Sequence, residues 1–334
     1  MSAERELTMA EALNEALTLE MARDPRVFVI GEDIAAIGGL FQVTAGLLDK
    51  FGSGRVIDAP ISEAGQAGAA VGAALVGSRP VVELQIADFV TLTMDQVANH
   101  AAKWRYMSGG KVTVPFVLRG PVSSGIGMAG QHSQTLEAWF VHTPGLVVIM
   151  PSTPADAKGL LTSAIRDDNP VVFLEKRLLY SRRGVVPEGE YTVPIGVADV
   201  KRAGTDVTVA CYSQGVQLAL QAGRQLAERG VELEVVDLRT LKPLDMDTLG
   251  ASIHKTGRLV VVSEGARAGG FASEVVARVV DEVYDSLRAA PVRVTAKDTP
   301  IPYAAQLERA VLPQVDDVVA AVESVLELAP GSTA

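Results

Sequence analysis

The chain has 334 residues, 48% of them hydrophobic and 21% charged, a composition that supports a large buried core in one or two domains. Its formal net charge of −10 argues against nucleic acid as a partner, because nucleic-acid-binding domains present a basic surface. The first residues lack an apolar signal core, and no apolar run is long enough to span a bilayer. We therefore expect a cytoplasmic protein that does not contact the membrane.

The first half of the chain alternates predicted strands with predicted helices. Thr8 and Glu11 have the spacing of a capping box, which predicts a helix from there to about Arg23. Short β-branched runs predict buried strands, and small-residue or amphipathic segments predict the helices between them. The predicted strands lie at 27–30, 55–59, 80–85, 114–119, 146–150 and 171–175, and two further helices lie at 64–77 and 94–106. This alternation indicates an α/β fold with a mostly parallel sheet covered on both faces.

The second half restarts the same alternation after a break. Pro and Gly interrupt the pattern between about 182 and 204, and we place a linker at 191–204, between domains at 1–190 and 205–334. Predicted strands at 207–212, 232–238, 259–264 and 292–296 alternate with helices at 214–229, 246–255 and 271–287. The chain is therefore expected to form two doubly wound α/β domains, the second of them smaller.

Glu63 is the first candidate for chemistry. It follows Pro60, which ends a predicted strand, and it precedes the helix at 64–77, so it lies at a strand-to-helix junction. Ligands of open α/β sheets bind at the carboxyl ends of the strands. Glu63 is therefore either a helix N-terminal charge favoured by the helix dipole or a working acid or base.

A glycine-rich segment at 125–130 matches the pattern Gly-x-Gly-x-x-Gly and follows a predicted strand. A dinucleotide fingerprint needs a tight turn directly after the strand and an acidic residue about 20 residues later, and neither is present. We interpret the segment as a flexible loop, with a nicotinamide or flavin enzyme as the alternative. His132 follows this loop among amides and hydroxyls, and its imidazole is suited to proton transfer near neutral pH.

Several short segments occur together, in the same order as in one known family. The chain resembles the beta subunit of the thiamine-diphosphate-dependent decarboxylating component of 2-oxoacid dehydrogenase complexes, of the pyruvate, branched-chain and acetoin type. The resemblance covers nearly the whole chain and implies a thiamine-diphosphate pyrimidine-binding domain followed by a transketolase C-terminal-type domain. The segments that carry it are Pro60–Glu63, Glu83–Phe89, Met94–Gln96, Tyr106–Gly110, Gln131–Gln134 and Asp237–Asp245.

The resemblance implies roles for five side chains. Glu63 would hydrogen-bond the aminopyrimidine of thiamine diphosphate and favour the imino tautomer, which activates the cofactor for attack on the substrate carbonyl. Phe89 would pack on the pyrimidine, and Ile61 and Gln85 would complete the cofactor contacts. His132 would handle the intermediate and the incoming lipoyl group.

A structural potassium ion is also implied by the resemblance, held largely by backbone carbonyls. Backbone ligands leave almost no signature in a sequence, so this site depends on the resemblance alone. Without the ion, the segment at 167–170 is a turn. The matching positions are Phe116, Ala164, Ile165, Asp167 and Asn169.

The chain lacks the Gly-Asp-Gly motif through which this family anchors the diphosphate by Mg²⁺. The resemblance therefore implies an alpha subunit that carries the motif, in an α2β2 assembly with the active site between the subunits. No lipoyl-bearing segment is visible, so the acyl acceptor would be the lipoyl group of a separate dihydrolipoyl acyltransferase.

The expected reaction is oxidative decarboxylation of a small 2-oxo acid, pyruvate or branched-chain, with acyl transfer to lipoamide. Acetoin cleavage is the nearest alternative, and a transketolase-like transfer of a carbon–carbon unit is another. A non-catalytic scaffold subunit is an alternative from a different class, and it predicts that replacement of Glu63 leaves activity intact.

Overall fold

The structure is a computed structural model and describes residues 5–327, with the side chain of Glu327 excluded. These residues form two compact units. The first contains the described residues up to Ser123 and the segment Trp139–Ile195, and the second contains Ser124–Ala138 and the described residues from Gly196 onward. A short segment from the middle of the chain, 124–138, is therefore part of the second unit.

Eight strands belong to the first unit, and they are β1 (Glu6–Thr8), β2 (Val27–Gly31), β3 (Val56–Asp58), β4 (Arg79–Glu83), β5 (Val117–Val122), β6 (Val147–Ile149), β7 (Val171–Lys176) and β8 (Arg183–Val185). Six of them lie side by side in the order β6-β7-β5-β4-β2-β3, with every pairing parallel. The other two, β1 and β8, pair antiparallel with each other.

The helices up to residue 166 are α1 (Met9–Arg23), α2 (Leu47–Phe51), α3 (Glu63–Leu75), α4 (Val90–Met94), α5 (Ala102–Met107), α6 (Glu137–His142) and α7 (Pro154–Arg166). The predicted capping box is confirmed, since the Thr8 side chain accepts from the Glu11 amide and the Glu11 carboxylate accepts from the Thr8 amide. The predicted helix at 94–106 is not a regular α-helix, because a π-helical segment, Asp95–Ala101, separates α4 from α5.

The second unit contains strands β9 (Asp199–Arg202), β10 (Val207–Cys211), β11 (Leu233–Asp237), β12 (Thr240–Lys242), β13 (Leu259–Ala266) and β14 (Val292–Ala296). Its helices are α8 (Gln214–Ala227), α9 (Met246–Thr256), α10 (Phe271–Val283), α11 (Ala305–Val311) and α12 (Val315–Glu327). Five strands form a sheet in the order β14-β13-β10-β11-β9, in which β9 alone is antiparallel to its neighbour.

The predicted α/β class and the parallel sheets are confirmed, and three local predictions need correction. Residues 199–202, expected in the linker, form the edge strand β9. Strand β5 begins at Val117 rather than at 114, beyond Pro115, which has no amide hydrogen to donate to a strand neighbour. The helices α11 and α12 follow the last predicted strand and were not anticipated.

Each unit has its own apolar core. In the first unit, α1 and α7 bury their apolar faces against the sheet, and Leu13, Leu17, Leu160 and Phe173 are completely buried. In the second unit, α8 and α12 cover the strands, with Val209, Val235 and Val322 completely buried. These cores hold the strand ends, and therefore the loops that follow them, in fixed positions.

Candidate active site

The candidate site lies where the strand order of the first sheet reverses. Strand β2 has β3 on one side and β4 on the other, so the chain leaves β2 in one direction and later returns to its opposite side. Such a reversal separates the loops at the carboxyl ends of the strands, and open α/β sheets bind their ligands there. The loops after β2, β3 and β4 carry the side chains described next.

Glu63 is the first residue of α3, in the loop that follows β3. Its side chain is buried, with 6% of the residue exposed, whereas Ile61 two positions earlier is 84% exposed. The helix N-terminus places unpaired backbone N–H groups and a partial positive charge near Glu63. The structure therefore places the predicted carboxylate at a helix start and at the carboxyl edge of the sheet together.

Glu32, which the sequence analysis did not select, lies close to Glu63 at the end of β2. Its carboxylate accepts a hydrogen bond from the Gln66 side-chain amide at 3.0 Å, and the Ser62 backbone amide also donates to it. Burial raises the pKa of Glu32, and the negative charge of Glu63 raises this pKa further. Two buried carboxyl groups therefore lie close together at this edge of the sheet.

Gln66 completes this group from the second turn of α3. Its amide nitrogen donates to Glu32 and to the Pro60 carbonyl, at 3.2 Å, while its buried carbonyl oxygen Oε1 has no hydrogen-bond partner. A buried acceptor without a partner is costly, so a ligand that donates a hydrogen bond there would be stabilised. The carboxyl groups and this oxygen suit an aminopyrimidine ring, which carries both donors and acceptors.

Gln85 and Phe89 follow β4 at the same edge of the sheet. The Gln85 amide donates to the Asp33 carboxylate at 3.0 Å, which fixes the side chain beside the end of β2. Phe89 ends a short 3₁₀ turn, Ala87–Phe89, and its ring is partly exposed. The structure thus brings the predicted positions 63, 85 and 89 to one edge of one sheet.

A buried ion cluster lies under this edge. The Arg119 guanidinium binds the Glu83 carboxylate and the Glu175 carboxylate, with 2.8 Å between Arg119 Nε and Glu175 Oε1. The Tyr180 hydroxyl donates to Glu175, and burial raises the pKa of Tyr180 well above its usual value. All four side chains are at least nine-tenths buried, so the cluster joins β4, β5 and β7 by charge as well as by backbone hydrogen bonds.

His132 belongs to the second unit and lies on the loop 124–136. Its backbone amide donates to the Ala129 carbonyl at 3.3 Å, and its side chain is partly exposed. The expected flexible loop is in fact anchored, because the amides of Gly125 and Gly127 donate to the Glu308 carboxylate at 2.7 and 2.9 Å. The amides that a dinucleotide pyrophosphate would require are therefore bonded to a carboxylate of the chain itself.

The predicted potassium positions lie around the end of α7 and the following turn. The Arg79 guanidinium donates to the carbonyl oxygens of Ile165 and Asp167, each at 3.0 Å. The Asp167 carboxylate accepts from the Asn169 backbone and side chain, which gives the expected turn. The Arg79 guanidinium, a cation of the chain itself, thus occupies two of the carbonyl oxygens that were expected to bind potassium. The potassium site stays a prediction.

Residues 5–327 offer neither a preformed metal-binding cluster nor a membrane-spanning helix. In this part of the chain, no group of three or more His, Cys, Asp and Glu side chains is arranged to hold a metal ion. None of the helices there combines the length and the apolar composition that crossing a membrane requires.

Comparison with known protein families assigns both halves of the chain. The family described as "Transketolase, pyrimidine binding domain" matches residues 5–182, and "Transketolase, C-terminal domain" matches residues 196–318. A solved structure titled "Split gene transketolase, inactive beta4 tetramer" has the same fold, with a TM-score of 0.78 over 97% of this chain and 99% of that chain, at 23% identity.

Three curated relatives illustrate the similarity. The chain is 47% identical to the pyruvate dehydrogenase E1 component subunit beta of Rickettsia bellii, over 96% of this chain and 98% of the relative. It is 46% identical to subunit beta-2 of the mitochondrial enzyme of Oryza sativa, over 96% and 87%. It is also 45% identical to subunit beta of the acetoin:2,6-dichlorophenolindophenol oxidoreductase of Bacillus subtilis, over 94% and 96%.

A buried acidic pair at the reversal point of a parallel sheet fits the aminopyrimidine end of thiamine diphosphate, and both domain families match in the expected order. The chain belongs to the family of beta subunits of thiamine-diphosphate-dependent 2-oxoacid and acetoin dehydrogenases, built from a transketolase-type pyrimidine-binding domain and a transketolase C-terminal domain.

Proposed function

We propose that this chain is the beta subunit of a 2-oxoacid dehydrogenase complex. In this proposal it catalyses the oxidative decarboxylation of a small 2-oxo acid together with an alpha subunit. The acyl group passes to the lipoyl group of a separate dihydrolipoyl acyltransferase. The observation that carries the proposal is the buried pair Glu32 and Glu63 at the reversal point of the sheet, in a chain of this family.

Glu63 is proposed to hold the pyrimidine ring and to exchange a proton with its ring nitrogen. Gln66 and Gln85 are amides at the same sheet edge and would help to orient the ring, and Phe89 and Ile61 offer apolar contact. Thiamine diphosphate, when bound, supplies the electron sink for loss of carbon dioxide. Glu32 lies beside Glu63, and burial together with the charge of Glu63 raises the pKa of Glu32, so Glu32 is suited to donate a hydrogen bond at this edge of the sheet.

His132 is proposed to act as a proton donor during transfer of the acyl group to the lipoyl sulfur. An imidazole suits this role because its usual pKa is near neutral pH. The loop geometry supports the proposal, since the turn from Ala129 to His132 follows an anchored glycine segment.

The alpha partner is proposed from the chemistry of the cofactor. A diphosphate bound through Mg²⁺ needs a carboxylate or amide ligand set, and the sequence contains no Gly-Asp-Gly segment. The relatives are named as beta subunits, which agrees with a second kind of subunit that holds the diphosphate in an α2β2 assembly. A potassium ion at positions 116, 164, 165, 167 and 169 is proposed only as a structural addition.

Acetoin cleavage is the second candidate function. The relatives from Bacillus subtilis and Cupriavidus necator, each 45% identical, are named for acetoin rather than for a 2-oxo acid. The chemistry at Glu63 would be the same, because both reactions break a carbon–carbon bond next to a carbonyl carbon. Substrate turnover therefore separates these candidates, and the geometry around Glu63 does not.

The test is co-expression with an alpha subunit, followed by ferricyanide reduction with thiamine diphosphate and Mg²⁺. Pyruvate, 3-methyl-2-oxobutanoate and acetoin are supplied separately. We expect turnover of one of them, and Glu63→Gln should reduce it by on the order of a thousandfold, equivalent to several kcal/mol of transition-state stabilisation. Glu188→Gln, an exposed glutamate of the same unit, serves as the matched control.

Each alternative predicts a different result in the same assay. A scaffold subunit predicts that Glu63→Gln is as active as Glu188→Gln. A transketolase-like enzyme predicts turnover with a sugar acceptor but none with the three substrates above. A nicotinamide enzyme predicts saturable binding of NADH to the isolated chain, which fluorescence titration would detect.

A further inference from the structure

The glycine-rich loop is anchored by a carboxylate from a distant part of the sequence. Glu308 lies in the short helix α11 and is buried, with 3% of the residue exposed. Its Oε1 accepts from the Gly125 amide at 2.7 Å, and its Oε2 accepts from the Gly127 amide at 2.9 Å. The φ angles of these glycines are +92° and +75°, which turn both amides toward one acceptor.

This contact is expected to be strong because one partner is charged and buried. Hydrogen bonds from backbone amides to a carboxylate are about twice as strong as those between neutral groups. Without the two amides, the Glu308 carboxylate would remain buried without compensation, which is unfavourable. The position of α11 and the position of the loop are therefore coupled.

The segment 300–303, which precedes α11, packs against the same loop. A side chain at Gly127 would lie 3.7 Å from the Tyr303 carbonyl oxygen, and one at Gly130 would lie 3.6 Å from the Pro300 ring. The loop thus lies at van der Waals distance from 300–303, with the Glu308 contacts at its start. His132 lies five residues after Gly127, the second of the two glycines whose amides bind Glu308.

A cavity adjoins the second half of the loop. Its volume is about 430 Å³, and it lies between residues of 130–136, the end of β13 and the segment 296–301. Ser133 lines this cavity, and its buried hydroxyl has no hydrogen-bond partner. The Glu308 contacts therefore hold the start of the loop, five to seven residues before His132.

We propose that Glu308 is the positioning residue of the loop that carries His132. This inference depends on the proposed function, because it assigns to Glu308 an indirect role in the transfer step attributed to His132. Glu308 binds two amides and no substrate, and it fixes the loop so that the imidazole has one location. Loss of the carboxylate should therefore impair the same step that loss of His132 impairs.

Amide hydrogen exchange on the αβ complex tests the contact directly. In Glu308→Gln the charge is lost, and we expect exchange of the 124–132 peptide to accelerate by on the order of tenfold or more. Glu308→Asp keeps the charge but is one methylene shorter, so it should loosen the same peptide while preserving folding. Glu282→Gln, on the surface of α10, is the control, and melting temperatures establish that all variants are folded.

Kinetics of acyl transfer to a lipoyl acceptor test the consequence for His132. We expect Glu308→Gln to slow transfer by about tenfold, and we expect little further loss when it is combined with His132→Ala, because both changes remove one function. The affinity for thiamine diphosphate should be unchanged, because the residues proposed to contact its pyrimidine ring lie in the first unit.

Unchanged exchange in both Glu308 variants, or losses that simply multiply in the double variant, would overturn the proposal. Failure of the proposed function would look different. In that case the wild-type complex would turn over none of the substrates, while the exchange experiment would still report whether Glu308 holds the loop.

Discussion

Glu137 is expected to make the stability of the second unit depend on pH. The residue follows the loop 124–136 and is completely buried. Its Oε1 accepts from the Tyr212 hydroxyl at 2.7 Å, and that hydroxyl also lies 2.7 Å from Ser263 Oγ. Its Oε2 has no hydrogen-bond partner. Burial raises the pKa of Glu137 to about 7, with a smaller contribution from the charge of Glu264.

The size and sign of the effect follow from this pKa. The ordinary value is 4.5, so a folded-state pKa of about 7 corresponds to about 3 kcal/mol. The folded protein binds this proton more tightly than the unfolded chain does. The stabilisation is therefore fully present below the unfolded pKa, and it is lost as the pH rises through about 7.

The variant Glu137→Gln removes this titration while nearly preserving the shape of the side chain. Its amide adds an offset in the free energy of unfolding, but that offset is the same at every pH. Relative to wild type, we expect the variant to gain about 3 kcal/mol between about pH 4 and pH 8. Denaturant unfolding across this range measures the difference, with Glu282→Gln as the matched surface control.

A second observable tests the protonation state itself. Near pH 6 the wild-type protein should show an infrared band of a protonated carboxyl group that is absent from Glu137→Gln. A constant difference in unfolding free energy across the pH range, with no such band, would refute the assignment. It would mean that Tyr212 and Ser263 stabilise the ionised form more than burial destabilises it.

Two further predictions concern stability of the first unit. Arg119→Met leaves two buried carboxylates without their cation, and we expect a loss of about 3–5 kcal/mol in denaturant unfolding; a loss below 1 kcal/mol would contradict the ionised cluster. Gly145→Ala combines a φ of +98° with a Cβ only 2.0 Å from the Ala102 carbonyl oxygen, and it should cost at least about 2 kcal/mol. Gly189 has a φ of +71° and open space around it, so Gly189→Ala should cost only about 1 kcal/mol. Equal losses of stability in the two variants would refute the clash between a side chain at position 145 and the Ala102 carbonyl oxygen.

Local sequence signals were sufficient to predict the α/β fold. The β-branched runs correspond to the buried parallel strands, and the capping box at Thr8 opens α1 as expected. Prediction was poorest where local preference competes with packing. The segment around Asp95 has an ordinary helical sequence but adopts a π-helix, and β9 carries an unremarkable polar sequence that pairs because β11 offers an edge.

The candidate site was predicted in part. Glu63 could be selected because the helix-opening position and the strand end are both visible in a short stretch of sequence. Glu32 was missed because its bond partner Gln66 is 34 residues away and only the sheet topology joins them. The position of Glu32 directly after a buried strand was the available signal. The Glu308 contact spans more than 180 residues and left no local signal.

The buried carboxyl groups of this chain show how partners determine the behaviour of one chemical group. Glu175 faces the Arg119 guanidinium, and Glu308 faces two backbone amides, so each is held by donors that stabilise its charge. Glu137 has hydroxyl neighbours and an oxygen without a partner, and burial raises its pKa to about 7, so its neutral form is favoured below that pH. Glu63 has another carboxyl group, Glu32, as its charged neighbour. Such a neighbour gives Glu63 no donor that would stabilise a purely structural carboxylate, which agrees with the proposal that this pair, rather than the other buried acids, binds the cofactor.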